Sequence, residues 1–130
     1  MGREYKFRVW DILGKRMLQW GDIFDLPAWE IFPGTPEQRA FNVMQYTGLD
    51  DVEETEIYDG HLCTDDGVSV LQVLWLDSHH QWGVKVISGS GTLSIGLEFP
   101  LWHWDNCKQN GYRQLKIIGD VYTNPELLEV

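Results

Sequence analysis

The segment Tyr5-Lys6-Phe7-Arg8-Val9 alternates apolar and basic side chains at every position. Alternation with period two places the two kinds of side chain on opposite faces of an extended chain, so it predicts a half-buried β-strand. The dipeptide Gly14-Lys15 follows, and glycine at the first central position of a two-residue turn predicts a type II′ hairpin that returns through residues 17–20. Residues 21–36 are rich in proline, glycine and aspartate, which is typical of a loop.

The same kind of short apolar segment recurs along the rest of the chain. Residues 93–99 form the clearest amphipathic pattern, with Leu93, Ile95, Leu97 and Phe99 alternating with small or polar residues. Residues 68–76 are apolar on both faces and predict a central strand. Further strands are predicted at 41–47, 56–63, 82–87 and 115–122.

No long segment has a helical period, and Asn124-Pro125 can start only about one helical turn before the chain ends. Short strands separated by frequent turns favour an antiparallel sandwich or barrel. We therefore predict an all-β fold that is mainly antiparallel and barrel-like, with extra hairpins and at most short helical turns. Residues 1–130 are expected to form a single domain.

The charge is strongly negative and unevenly distributed. The chain has 20 acidic and 10 basic residues, a net charge of −10. Residues 1–16 contain five basic and two acidic residues, whereas residues 50–66 contain eight acidic residues and no basic one. Such a balance makes nucleic acid an unlikely partner and favours solubility and a basic partner. The acidic run 50–54 is interpreted as a solvated turn.

The sequence also limits the expected compartment. The N-terminus has no apolar signal core, and no apolar run is long enough to cross a bilayer, so no membrane association is predicted. The two cysteines, Cys63 and Cys107, do not form a disulfide framework. We therefore expect a cytoplasmic protein with reduced thiols.

Three segments resemble the motifs of one family. They are REYKFRVWD at residues 3–11, VMQYTGLDDVEETEIYDG at 43–60 and IGDVYTNPELL at 118–128, and they follow one another in order along the chain. Together they resemble the YopX family of bacteriophage and prophage proteins. The resemblance implies an all-β, barrel-like fold and a phage or prophage origin in a bacterial host, and it implies no activity.

The chain departs from the family pattern at two places. His61 follows Gly60 where the family usually has aspartate, and residues 52–55 (Val-Glu-Glu-Thr) replace the usual Asn-Gly turn. The second departure predicts a different hairpin at that position.

Candidate catalytic and metal-binding groups do not form a recognised pattern. The pairs His61-x-Cys63 and His103-x3-Cys107 contain zinc-ligand types, but their spacing fits no standard zinc module. The acidic run lacks the spacing of a calcium loop, and no Gly-x-Ser-x-Gly motif is present. Buried thiols and loop histidines are the favoured interpretation, so we predict neither enzymatic activity nor a cofactor or metal site.

Basic and aromatic residues mark a candidate interaction surface. Lys6, Arg8 and Trp10 share one face of the first strand, and Arg3 lies near it, while Trp102 and Trp104 share another face. The favoured interpretation is a non-enzymatic phage accessory protein that binds an unidentified host or phage protein. A weak single-stranded nucleic-acid-binding barrel is the alternative. A solvated strand edge with core tryptophans also fits these residues, and the oligomeric state does not follow from the sequence.

Overall fold

In the computed structural model, the described residues are 5–25, 41–89, 95–101, 104 and 115–128. The chain divides into two compact units, Met1–Tyr46 and Thr47–Val130. The described strands are β1 (Phe7–Asp11), β2 (Arg16–Leu18), β3 (Phe41–Asp50), β4 (Glu56–Tyr58), β5 (His61–Thr64), β6 (Val70–Leu76), β7 (Gln81–Ser88), β8 (Glu98–Pro100) and β9 (Lys116–Asp120).

The strands form two sheets, in the orders β2-β1-β3-β4 and β8-β7-β6-β5-β9, and one of the sheets forms a half-barrel. Within the described ranges helical structure is limited to two short 3-10 turns, Trp20–Asp25 and Pro125–Leu128, and the single residue Trp104. The predicted all-β, mainly antiparallel and barrel-like class is therefore confirmed. The prediction of a single domain over residues 1–130 stays a prediction.

The N-terminal unit is organised around β1. This strand pairs antiparallel with β2 and with β3, so that Val9 lies opposite both Leu18 and Val43. Val9, Leu18 and Ile23 form the core of the unit, and Phe7 packs against them. The predicted alternation holds for Phe7 and Val9, which lie on the core side, but β1 begins only at Phe7 and Tyr5 is 60% exposed.

The turn between β1 and β2 differs from the predicted type II′ turn. Asp11 pairs with Arg16, so four residues form the loop, and the positive φ of 53° is at Lys15. The Asp11 carboxylate accepts the Gly14 N–H at 2.9 Å, and the Asp11 carbonyl accepts the Lys15 N–H at 2.8 Å. These two bonds stabilise a longer loop than the glycine position suggested.

The segment after β2 also differs from the sequence interpretation. The sequence predicts the end of a strand at residue 20 and a loop from residue 21. Residues 20–25 instead form a 3-10 turn. Ile23 is buried in the core of the N-terminal unit. Trp20 of the same turn packs against this core, so the turn directs two apolar side chains toward it.

The C-terminal unit contains the larger core. Strand β6 is central in its sheet, as predicted, and pairs with β5 and β7. Its core-facing residues Leu71 and Val73 lie opposite Val86 and Val84. The buried members of this core are Ile57, Cys63, Leu71, Val73, Val84, Val86, Leu101, Trp104 and Leu115.

The predicted strand at 93–99 is wrong for residues 95–97, and Leu93 lies outside the described residues. Ile95 and Leu97 are exposed, and β8 begins only at Glu98. Gly96 has a φ of 92°, its N–H donates to the Val86 carbonyl, and the Val86 N–H donates to the Leu97 carbonyl, each at 2.8 Å. Two residues therefore face one, which is a β-bulge, and the extra residue interrupts the alternation.

The interpretation of residues 50–54 as a solvated turn is wrong for Asp51, which is only 4% exposed. Its Oδ1 accepts the N–H groups of Glu53 and Thr55, both at 2.9 Å. Its Oδ2 accepts the Ile117 N–H of β9 at 3.0 Å. A buried carboxylate with three backbone donors thus fixes the loop after β3 to the edge of β9.

The single helical turn predicted after Asn124 is confirmed. The Leu127 N–H donates to the Asn124 carbonyl at 3.1 Å. The buried Asp120 stabilises the backbone just before this turn. Its Oδ1 accepts the N–H groups of Tyr122 and Thr123, both at 2.9 Å.

Candidate interaction surface

Three of the sequence-predicted surface residues lie on or next to β1. Arg8 pairs with Met44, and Trp10 pairs with Asn42. The Lys6 ammonium lies 5.7 Å from the centre of the Tyr46 ring, within the range of a cation–π contact. All three side chains are half-buried, and the Nε and Nη2 atoms of Arg8 are closed off from solvent. The guanidinium group therefore presents only part of its donor set to a partner.

Of the two tryptophans on the second predicted face, Trp104 lies within the described residues. Arg3 and Trp102 lie outside the described residues. Trp104 is 7% exposed, packs in the larger core and meets Phe99 edge to face at 6.2 Å. Its Nε1 donates to Asp65 Oδ2 at 3.1 Å. Trp104 therefore has the structural role that the sequence left open for it.

An aromatic cluster in the N-terminal unit, formed by Phe7, Trp20 and Phe24, was not identified from the sequence. Trp20 lies 5.9 Å from Phe7 and 4.8 Å from Phe24, measured between ring centres. Phe7 and Trp20 pack on the core of the unit, whereas Phe24 is 67% exposed. The aromatic cluster extends from the core to solvent and ends in the exposed ring of Phe24. Residues of a 3-10 helix share a face at a spacing of three, so the four-residue spacing of Trp20 and Phe24 is no sequence signal for this contact.

The histidine and cysteine that suggested a zinc alternative are both buried in and beside β5. His61 Nδ1 accepts the Tyr58 N–H at 2.8 Å. An amide can only donate, so this nitrogen carries no proton and its lone pair is already used. His61 therefore stabilises the turn before β5 at the position where the family usually has aspartate.

Cys63 is a free, fully buried thiol in the larger core. Burial raises its pKa to about 12, and the charge of Asp51 adds to this shift. The thiolate needed for nucleophilic attack or metal binding is therefore strongly disfavoured. Within the described ranges no three His, Cys, Asp or Glu side chains are grouped so that they could hold a metal ion. His103 and Cys107 lie outside those ranges.

The negative net charge of the protein arises from the sequence of one of its two units. The sequence of the N-terminal unit contains six acidic and six basic residues. The sequence of the C-terminal unit contains fourteen acidic and four basic residues. The long-range negative potential of the protein therefore arises from the C-terminal unit, and the N-terminal unit has no net charge.

No helix in the described part of the chain is both long and apolar enough to cross a membrane.

The fold of this chain is similar to that of a solved structure. The structure is similar to the crystal structure of protein EF1440 from Enterococcus faecalis, with a TM-score of 0.63 and 20% sequence identity. The likeness covers 98% of this chain and 100% of that one, and at this identity it concerns the fold. No curated protein matches the sequence significantly.

The family comparison agrees with the motifs seen in the sequence. The family model described as YopX protein matches residues 6–129, which is nearly the whole chain. The match includes both compact units, and it takes in nearly all of the three segments that carry the resemblance. This chain therefore belongs to the YopX family.

Proposed function

We propose that this chain is a phage or prophage accessory protein that acts in the host cytoplasm by binding another protein, without catalysis. The observation that carries the proposal is the aromatic cluster of Phe7, Trp20 and Phe24. Phe24 is exposed although Trp20 supports its ring at 4.8 Å. Aromatic rings are enriched at the energetic centres of protein interfaces, because they bury a large area with few rotatable bonds.

The support beneath Phe24 favours binding. Trp20 packs on the core residues Val9, Leu18 and Ile23, so its ring is already fixed before a partner arrives. A side chain that is ordered in the free protein loses little entropy in the complex. Membership of the YopX family supports the phage or prophage part of the proposal.

Single-stranded nucleic-acid binding through Lys6, Arg8 and Trp10 is the less favoured alternative. Two of the guanidinium nitrogen atoms of Arg8 are closed off from solvent. The C-terminal unit, with its large acidic excess, repels a phosphate backbone. Both features oppose this role.

The test compares capture by three tagged full-length chains: the wild type, Phe24→Ser and the control Val68→Ser. Val68 is 66% exposed in the loop after β5, so the control also removes an exposed apolar side chain. From nuclease-treated host lysate, the wild type and Val68→Ser should retain the same protein in stoichiometric amount, and Phe24→Ser should retain at least tenfold less, a loss of about 1.4 kcal/mol. Equal capture by Phe24→Ser, with all three chains folded by circular dichroism, contradicts the proposal, and so does the absence of any captured protein.

A further inference from the structure

We infer that the tip of the β1–β2 hairpin, residues 12–16, inserts into an acidic and apolar recess on the protein partner. The inference rests on the proposed protein-binding function and names a second contact element and the chemistry that it recognises. The tip is Ile12-Leu13-Gly14-Lys15-Arg16, two aliphatic residues and two basic residues on either side of a glycine.

Two aliphatic side chains are exposed at the tip, at turn positions where polar residues would stabilise the turn equally well. Leu13 is 83% exposed and its neighbour Ile12 is 38% exposed. Turns of this kind ordinarily contain glycine, asparagine, aspartate, serine or proline, each of which stabilises the turn itself. Leu13 adds nothing of that kind, so its side chain is available to a partner.

The conformation of the tip is fixed by Asp11. The Asp11 carboxylate accepts the Gly14 N–H at 2.9 Å, its carbonyl accepts the Lys15 N–H at 2.8 Å, and its Oδ2 lies 3.5 Å from Arg16 Nε. A Cβ at position 14 would lie 2.5 Å from Asp11 Oδ2, so a side chain there would displace the Asp11 carboxylate from this arrangement. A fixed loop presents Leu13 and Lys15 in one arrangement and loses little entropy on binding.

Charge decides the kind of partner surface. Lys15 and Arg16 are exposed, and Asp11 balances only one of them, so the tip is net positive. The rest of the chain is acidic as a whole, and a basic partner surface is attracted to the C-terminal unit instead. An aliphatic tip flanked by cations complements a recess lined by apolar side chains and carboxylates.

The test uses the isotopically labelled full chain in a nuclear magnetic resonance titration with three probes. The first is a short soluble peptide of interspersed leucine and glutamate, the second is the same peptide with lysine in place of glutamate, and the third is vesicles of mixed phosphatidylserine and phosphatidylcholine. The glutamate peptide should shift the backbone signals of Leu13, Gly14 and Lys15, and added salt should weaken its binding.

Variants of the tip separate the apolar from the electrostatic contribution. Leu13→Ser and Lys15→Gln should each weaken binding of the glutamate peptide about fivefold to tenfold. Lys85→Gln, which makes the same charge change at an exposed lysine of β7, should leave the affinity unchanged. An equal loss in Lys85→Gln overturns the inference, because the effect would then depend only on net charge.

Three other results also overturn the inference: signals shifting elsewhere in the chain, equal binding of the lysine peptide at the tip, or binding of the tip to vesicles but not to the glutamate peptide. The capture experiment separates this outcome from failure of the proposed function. If Leu13→Ser and Lys15→Gln capture the partner as well as the wild type does, while Phe24→Ser does not, the chain binds a protein without using the hairpin tip.

Discussion

Replacing Asp51 with asparagine should destabilise the C-terminal unit by about 2 kcal/mol. The carboxylate is buried and accepts three backbone N–H groups, two on Oδ1 from its own loop and one on Oδ2 from Ile117 of β9. The asparagine carbonyl can keep the two bonds of the loop. Its amide nitrogen then faces the Ile117 N–H, and two donors cannot bond to each other.

The size of the effect follows from where each donor lies. The Ile117 N–H is in a half-buried strand, so losing its acceptor has the cost of a buried unsatisfied donor, about 1–3 kcal/mol. The N–H groups of Glu53 and Thr55 are in exposed residues and can be solvated, so each of those bonds contributes less, roughly 0.5–1 kcal/mol. The substitution Asp51→Ala removes all three bonds and should cost about 3–4 kcal/mol.

Urea unfolding followed by tryptophan fluorescence measures these losses. With a slope of about 1–3 kcal/mol per molar urea, Asp51→Asn should lower the midpoint by about 1 M without changing the slope. Asp77→Asn is the matched control, since Asp77 is exposed in the turn between β6 and β7 and a surface change of this kind has little effect. If Asp51→Asn unfolds at the same midpoint as Asp77→Asn, the carboxylate does not connect the loop to β9 and the reasoning is refuted.

Three further substitutions or reactions test other local features. In a Cys107→Ser background, Cys63 should resist iodoacetamide at pH 8 until the protein is unfolded, because burial raises its pKa to about 12; alkylation of the native protein at the rate of a free thiol contradicts this. Glu54→Gly should stabilise the protein by about 0.5–1 kcal/mol in the same urea assay, because Glu54 has a φ of 65°, which glycine adopts without strain; a lower midpoint would falsify that account. Burial raises the pKa of Asp59 above 3.8, although a hydrogen bond with the Gly60 backbone opposes the shift, so folding disfavours its ionised form. The contribution of Asp59 to the stability of the wild type is therefore most favourable below pH 3.8 and is lost as the pH rises through the raised pKa of the folded state. The variant Asp59→Asn should accordingly be more stable than the wild type at pH 7 and equally stable near pH 3. Equal midpoints at pH 7 refute the assignment.

Two of the strands could be predicted from the sequence on different criteria. Strand β6 was predicted from its continuous apolar run, although its register with β7 shifts between Val70 and Leu71. Strand β1 was predicted from period two, because the apolar side chains of Phe7 and Val9 pack in the core of the N-terminal unit and Arg8 lies between them on the other face. The same criterion failed near Gly96, because the alternation of residues 93–99 continues through a position where the backbone inserts an extra residue. A bulge changes which face a side chain occupies and leaves the residue types unchanged.

The role of the acidic residues could not be predicted from their number. Eight acidic residues within residues 50–66 indicate a solvated surface when they are considered as charges. Within this segment Asp51 and Asp66 instead use short side chains to accept backbone N–H groups of the following turns, and Asp120 does the same near the C-terminal end of the described chain. Which aspartate does this depends on the local backbone conformation, and the residue type alone does not determine it.

The candidate surface was predicted only in part. Alternation correctly places Arg8 and Trp10 on one face of β1, opposite Met44 and Asn42. How much of each side chain is covered depends on packing between elements that are distant in sequence. The exposed ring of Phe24 was missed because residues 21–36 have the composition of a loop, and a 3-10 turn within them positions the ring.

Affinity capture of the tagged wild-type chain from host lysate, with one half treated with nuclease and the other untreated, tests the protein-binding function most directly. Mass spectrometry should find one protein in stoichiometric amount in both halves, because the proposed contacts are made by aromatic, aliphatic and basic side chains to a protein surface. Recovery of nucleic acid alone, or of proteins that disappear after nuclease treatment, would contradict the account and favour the strand-binding alternative.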